Sequence, residues 1–438
     1  MEREHLIKPL IGTHYPTVSH GQGIYLFDTK GKRYLDGSSG AITVGIGHGV
    51  PEILEAMNKQ AQQVSFVYRS QFTSDAAEKL AKKMSEITQG DLNWSFFVNS
   101  GTEATETAMK LAIQHYQEKG IKGKNKILSR WMSYHGITIG ALSMSGHPLR
   151  RQRFVSVLED YPSVSAPYCY RCPFDRAYPS CNLACASELE AAIERIGAEH
   201  IAAFIAEPII GAAGGAIVPP QGYYQRIQSI CKKYDILFIA DEVMTGLGRT
   251  GKMFAMEHWD VQPDIVTLGK GMTSGYTPMA ATVASDKVIE PILNGSKLVM
   301  SGHTFSANPL SAAVSLAVIE YVEQHGLVQA AAQKGDYLMK KLHELQSQTQ
   351  LIGDVRGKGL LIGLEFVEGV KASTLIQTAM KQGLLLYPAV AGKTGKDDSA
   401  CLLAPPLTIT YEEMDELLLL LTEAFREIER TTYKGEPI

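Results

Sequence analysis

Apolar residues follow two rhythms along this chain. Short, nearly unbroken apolar runs alternate with longer stretches whose apolar positions recur at helical spacing. The runs at 95–98, 126–131, 201–206, 236–240 and 265–268 predict strands, and the stretches at 102–117 and 221–233 predict helices. Apolar strands bounded by helices imply an α/β fold with a mostly parallel central sheet covered on both faces. A long helix is expected over about 306–325, and beyond it the pattern changes. Strands near 359–366, 384–387 and 401–403 precede a final helix over about 411–430, with a polar surface loop at 391–398. This predicts three parts: residues 66–325 as a large domain, residues 326–438 as a smaller α+β domain, and residues 1–65 as an N-terminal segment joining the small domain.

Composition narrows the class. The 438 residues are 45% hydrophobic and 20% charged, with a formal net charge of −4, which suits a globular chain of more than one domain and offers no basic stripe for nucleic acid. No apolar run approaches the roughly 18 residues of a membrane helix. The greasiest stretch, Leu417 to Leu421, is flanked by Glu412, Glu413, Asp415, Glu416 and Glu423, and predicts a core-facing helix. Met1 to His5 mixes charges with no apolar stretch behind it, so a cytoplasmic location is expected rather than secretion.

The candidate chemistry gathers at strand ends. Lys270 lies between Gly269 and Gly271, just past the strand at 265–268, and the strand at 236–240 runs into Asp241. A lysine at the end of an apolar strand can lose its proton and form a Schiff base. An aspartate at the tip of another strand can hold a cofactor's ring nitrogen protonated. Together they fit pyridoxal 5'-phosphate (PLP) chemistry. Asn99, Ser100, Gly101, Thr102 and Glu103 join a strand to a helix, which suits either a phosphate or a plain N-cap. Tyr134, before His135 and Gly136, offers a ring to stack on another ring, or simply a core aromatic. Glu207 also follows a strand. In open α/β sheets ligands bind at these carboxyl ends. A nucleotide loop is excluded, since Asp264 stands where the first glycine of the P-loop pattern belongs and Gly271 follows the lysine. Cys169, Cys172, Cys181 and Cys185 have spacing that could bind zinc, but the short middle spacer and adjacent prolines favour packed thiols or a single disulfide, so no metal is expected.

The run from Asp241 to Gly251, with Phe254 to His258, Pro263-Asp264 and Gly269 to Gly271, resembles the signature of class III aminotransferases. Glu207-Pro208, Pro219-Pro220, Gly222-Tyr223, Gly302 to Phe305, Asn308-Pro309, Arg356 to Gly359, Leu35 to Gly37 and Gly47-His48 match the same family. The resemblance covers about residues 12–430. It implies the PLP-dependent transferase fold type I, normally a homodimer with shared active sites. It further implies that Lys270 carries PLP as an aldimine and serves as the base, with Asp241 on the pyridinium nitrogen. Val243 and Tyr134 would bracket the ring, Ser100, Gly101 and Thr102 would hold the phosphate, and His135 and Glu207 would complete the cofactor site. Thr304 would come from the neighbouring subunit. The implied reaction is ping-pong transamination through aldimine and ketimine from an amine to a keto acid, pyruvate or 2-oxoglutarate. A PLP-dependent aminomutase or racemase on the same scaffold is the alternative.

Departures from the family pattern bear on the donor. Leu402 stands where ornithine-type relatives keep an arginine for the α-carboxylate, Ala212 where they keep its gating glutamate, and Tyr387-Pro388 where diaminopelargonate-type relatives keep Arg-Pro. Met244 replaces a glutamine that reaches the PLP hydroxyl in some relatives. Relatives acting on ω-amino acids, taurine or simple amines share the Leu-Tyr-Pro segment and the cysteine insert. An ω-amino acid or amine donor is therefore implied. Arg356 is a candidate for the substrate carboxylate or a structural anchor, and Ile42 aligns with a pocket-lining aromatic of some ω-transaminases.

Overall fold

The computed structural model describes residues 5–88 and 90–433; Met1 to Glu4, at the head of the N-terminal segment, and the last five residues lie outside the described residues. Among the described residues seven strands form the main sheet: β4 (Trp94–Val98), β5 (Lys126–Arg130), β6 (Pro162–Val164), β7 (Ile201–Ala206), β8 (Leu237–Asp241), β9 (Ile265–Leu268) and β10 (Ala280–Ala284). Their order is β4-β10-β9-β8-β7-β5-β6. Every neighbouring pair is parallel except those of β10, which runs antiparallel to β4 and β9. β7, β8 and β9 are buried at every position, as strands covered on both faces must be, which is why they read as continuous apolar runs. β10 has no such signature: Ala280-Ala-Thr-Val-Ala284 is poor in residues that favour strands, and tertiary pairing overrides that preference.

Three N-terminal strands, β1 (Val18–Gln22), β2 (Tyr25–Asp28) and β3 (Arg33–Asp36), form a second sheet. Its fourth strand comes from the far end of the chain: β13 (Leu384–Leu385) pairs in parallel with β3, Leu384 opposite Leu35. The third sheet has the order β11-β12-β15-β14, from β11 (Ile352–Lys358), β12 (Leu361–Phe366), β14 (Tyr387–Ala391) and β15 (Asp397–Leu403). One apolar core joins both chain ends, with Ile24, Leu35 and Ile53 packed among Leu342, Leu364, Leu375, Leu417 and Phe425. In the final helix, Tyr411–Tyr433, Leu417 and Leu421 are buried while Leu419 is exposed, as expected of an amphipathic helix. No helix among the described residues is long and apolar enough to cross a membrane.

Several boundaries shift for local reasons. The helix read at 221–233 starts at Tyr223, because Gly222 takes the left-handed conformation (φ 85°) that ends the preceding turn. The helix read at 306–325 starts at Pro309, where Asn308 Oδ1 caps it by accepting the Ser311 N–H at 3.0 Å. The strand read at 384–387 is two strands in different sheets, and most of the expected loop at 391–398 is the tight turn between β14 and β15.

If the N-terminal segment shares the C-terminal core, Ile53→Ala should destabilise the protein by about 2–5 kcal/mol in urea unfolding. The neighbouring Leu54→Ala, on the exposed side of the same helix, should cost no more than about 0.5 kcal/mol.

Candidate active site

The carboxyl ends of the parallel strands converge on a cavity of about 170 Å³. Lys270 follows β9 in a short 3-10 turn with φ 46°, a left-handed conformation uncommon for a residue with a side chain. The wall it opens through is built by close backbone approach. A Cβ on Gly101 would lie 2.7 Å from Val243 Cγ1, so only glycine lets this helix start so near the strand ends. Burial pushes the Lys270 ammonium pKa below its ordinary value, while Asp241 and Glu207 pull it partly back.

Asp241 is the last residue of β8, 4% exposed. Its Oδ1 accepts from Thr267 Oγ1 at 3.0 Å and from the Val243 N–H at 3.2 Å. Its Oδ2 lies 2.7 Å from His135 Nδ1. As donor to this carboxylate the imidazole carries a proton on Nδ1, and its Nε2 is buried without a partner among the described residues. His135 is itself fixed: its N–H donates to Ser145 Oγ (2.8 Å) and its carbonyl accepts from Thr105 Oγ1 (2.6 Å).

Glu207 follows β7 and points back under Tyr134. Its Oε2 accepts the Tyr134 N–H at 3.0 Å and its Oε1 the Gly211 N–H at 3.1 Å. Burial raises its pKa, with Asp241 adding to the rise and His135 and the two N–H groups opposing it. Ser100 is the N-cap of the helix Gly101–Glu118, its Oγ accepting the Glu103 N–H at 3.3 Å, while Glu103 Oε2 accepts the Asn99 N–H at 2.6 Å. The structure shows the cap, and a cap does not preclude an anion: the first N–H groups of a helix have no intrahelical acceptor and carry the positive end of its dipole.

Of the residues singled out from sequence, Ser100, Gly101, Thr102, Tyr134 and His135 line this cavity, together with Glu207, Asp241, Val243 and Lys270. Met244 and Gly136 line it as well. Ile42 does not reach the lining but is buried in the short helix Ser39–Ile42, which packs against the Lys270 turn and β14. Thr304 is exposed and does not line the cavity of its own chain, and its neighbour His303 lies 3.5 Å from Glu103 at the helix start. Leu402 and Tyr387 are cross-strand partners, and the Ala212 carbonyl accepts the Val390 N–H at 3.0 Å, so the three departures from the family pattern are gathered in one place.

Arg356 is held as an anchor. Its Nε donates to the Gly215 carbonyl (2.8 Å), one terminal nitrogen to the Gly214 carbonyl (2.6 Å), and the other to Asp354 (2.7 Å) and Glu365 (2.8 Å). With four of its five N–H groups engaged on all three nitrogens, it has no pair of free N–H groups to offer a carboxylate, which supports the anchoring reading. The four clustered cysteines are free thiols, and among the described residues no group of three or more His, Cys, Asp or Glu side chains is arranged to hold a metal ion. Sequence reasoning missed Thr267, whose only signal was its place on the strand that leads into Lys270, opposite the neighbouring strand's aspartate.

The chain matches the class III aminotransferase family over residues 12–425. It belongs to that family. The uncharacterized aminotransferase YodT of Bacillus subtilis is 52% identical over 441 residues, spanning 98% of this chain and 99% of the relative. Among solved structures, a transaminase from the marine bacterium Virgibacillus superposes with a TM-score of 0.90 at 34% identity, covering 98% of each chain. A thermostable (S)-enantioselective omega-transaminase from Thermomicrobium roseum superposes with a TM-score of 0.89 at 37% identity, covering 94% of this chain and 93% of its own. Class III aminotransferases are PLP-dependent enzymes, and the fold is theirs, PLP fold type I.

The lowered pKa of Lys270 has a stability consequence in the cofactor-free protein. Between its native value and the ordinary 10.5, the folded chain binds fewer protons than the unfolded one, so stability rises with pH across that window. Thermal melts of apoprotein from about pH 7 to 10 should show a shallower rise for Lys270→Met than for the wild type.

Proposed function

We propose that this aminotransferase holds PLP in the cavity beneath Lys270 and moves an amino group from an ω-amino acid or amine donor to a keto acid, pyruvate or 2-oxoglutarate. The residues present fit that cofactor. The cavity joins a desolvated amine, a buried carboxylate locked by three donors, and a helix N-terminus whose close approach depends on the missing Cβ of Gly101. When bound, PLP supplies an aldehyde that links to amines and a protonated ring that takes up electron density.

The chain's own groups do the rest. Asp241 accepts the ring N–H and keeps that proton in place, and His135 and Thr267 keep Asp241 from turning away. Ser100, Gly101 and Thr102 hold the phosphate at the helix N-terminus. Val243 and Tyr134 confine the ring, with Glu207 pinning the Tyr134 backbone. Lys270, its ammonium already disfavoured by burial, would take the proton from the amine-bearing carbon of the donor and hold it for return on the cofactor side. Thr304 serves the site of a second copy in a homodimer.

One observation carries the donor class: among the residues lining the cavity there is no arginine. The keto acid acceptor, and the α-amino acid it becomes, also carry a carboxylate on the reacting carbon, so the lining argues only against a dedicated guanidinium site for an α-amino acid donor. A donor whose amine lies far from any carboxylate needs none. The apolar Leu402 and Ala212 agree with this, since no charge is left unpaired by the missing ion pair.

Absorbance titration of holoenzyme with single donors and no acceptor tests the reading. β-Alanine, 4-aminobutyrate, 5-aminopentanoate and pentylamine should bleach the visible cofactor band, with at least one doing so more readily than α-amino acids. Bleaching by α-amino acids alone would overturn the donor class, and no bleaching by any donor would overturn transamination. Lys270→Ala should slow the half-reaction by about 10² to 10⁴-fold or more.

A further inference from the structure

The cavity wall lacks a guanidinium, yet one stands just outside it. Arg150 belongs to the short helix Pro148–Arg151, sixteen residues past Tyr134 in a chain segment that loops back over the site. Its neighbour Arg151 is buried and clamped, one guanidinium nitrogen donating to the carbonyls of Leu142 (2.9 Å), Ser143 (2.9 Å) and Ser145 (3.0 Å). Ser145 also receives the His135 N–H, so this clamp ties the base of Arg150 to the frame that holds Asp241.

From that base Arg150 extends over Tyr134, its Cζ 4.8 Å from the ring centre. The side chain is exposed, and among the described residues no carboxylate, carbonyl or hydroxyl accepts from it. This sets it apart from the other arginines near the site. Arg356 is spent on Asp354, Glu365 and two carbonyls. Arg249 donates to the Leu360 and Pro405 carbonyls and Ser39 Oγ. Arg130 donates to Tyr224 Oη and the Glu207 carbonyl. His147, three residues before Arg150, is pushed down to about 4 by burial first and by Arg150 second, so it is a neutral ring at neutral pH and adds no second positive charge beside the guanidinium. Arg150 is likewise close enough to disfavour the charged form of Lys270.

A guanidinium resting on an aromatic face is held by its flat side and keeps its N–H edge open. That edge matches a carboxylate with two parallel hydrogen bonds. Tyr134 lines the cavity and Arg150 does not, so a group bound by Arg150 sits beyond the reacting carbon, at the rim.

We propose that Arg150 receives the distal carboxylate of the donor, which makes ω-amino acids long enough to run from Lys270 to the rim the preferred donors over amines that lack a carboxylate. This rests on the donor class proposed above and names its recognition element. Arg150 selects substrate and takes no part in the proton transfers.

The experiment compares 5-aminopentanoate with pentylamine in single-turnover half-reactions of wild type, Arg150→Gln and Arg150→Lys holoenzymes. Calorimetric binding of pentanoate, which carries the carboxylate but no amine, serves as a readout independent of turnover. Wild type should bind 5-aminopentanoate at least about tenfold more tightly than pentylamine. Arg150→Gln should erase that preference by weakening the amino acid alone and should lose pentanoate binding, while Arg150→Lys keeps part of both. Equal weakening of both donors would make Arg150 a support for Tyr134 and overturn the inference, as would an unchanged preference. Wild type that bleaches equally with both donors keeps the ω-amine reading and overturns only the role of Arg150. Wild type that responds to α-amino acids alone overturns both.

Discussion

A carboxylate buried at the tip of a central strand costs several kcal/mol unless donors surround it, and at Asp241 the surrounding structure is organised to supply them. Thr267 donates from the next strand, the Val243 N–H from the turn that follows, and His135 from the loop after β5. Each donor is then fixed by something else: His135 by Ser145 and Thr105, Thr267 by pairing of β8 with β9, Val243 by the close packing of Gly101 against it. The same pairing that brings Thr267 to Asp241 also aims the end of β9, and with it Lys270, into the cavity. One buried carboxyl group therefore accounts for the placement of most of the site.

Lys270 and Asp241 share a pocket of low polarity, and their charges act on each other. Desolvation favours the neutral amine, while Asp241 and Glu207 restrain that shift. In the role proposed for it, first a nucleophilic amine and later a base, Lys270 gains from an ammonium form that is not too stable. The strained backbone at Lys270, between two glycines, is consistent with a side chain whose direction matters more than local comfort.

How much of this could be read from the chain depended on whether a feature was local. Buried parallel strands announce themselves as apolar runs, so β7, β8 and β9 and the residues at their ends were legible, and Glu207, Asp241 and Lys270 came with them. The alanine-rich β10 was not, because its strand character comes from pairing with β4 and β9 rather than from its own residues. The division of 384–391 between two sheets was hidden for the same reason: β13 pairs with β3, more than three hundred residues earlier. Arg356 carried a recognisable motif, but only the fold shows that its nitrogens are consumed by Asp354, Glu365 and the Gly214-Gly215 carbonyls. Arg150 lay in an unremarkable basic patch, and its meaning appears only when the fold lays it over Tyr134.

The central claim is that the amine of Lys270, and no other, faces the cofactor across from Asp241. Reduction of the holoenzyme with borohydride, followed by proteolysis and mass mapping, tests it most directly. The account predicts a pyridoxyl group on the peptide containing Lys270. A label on another lysine, or on none in protein that has retained its cofactor, would contradict it.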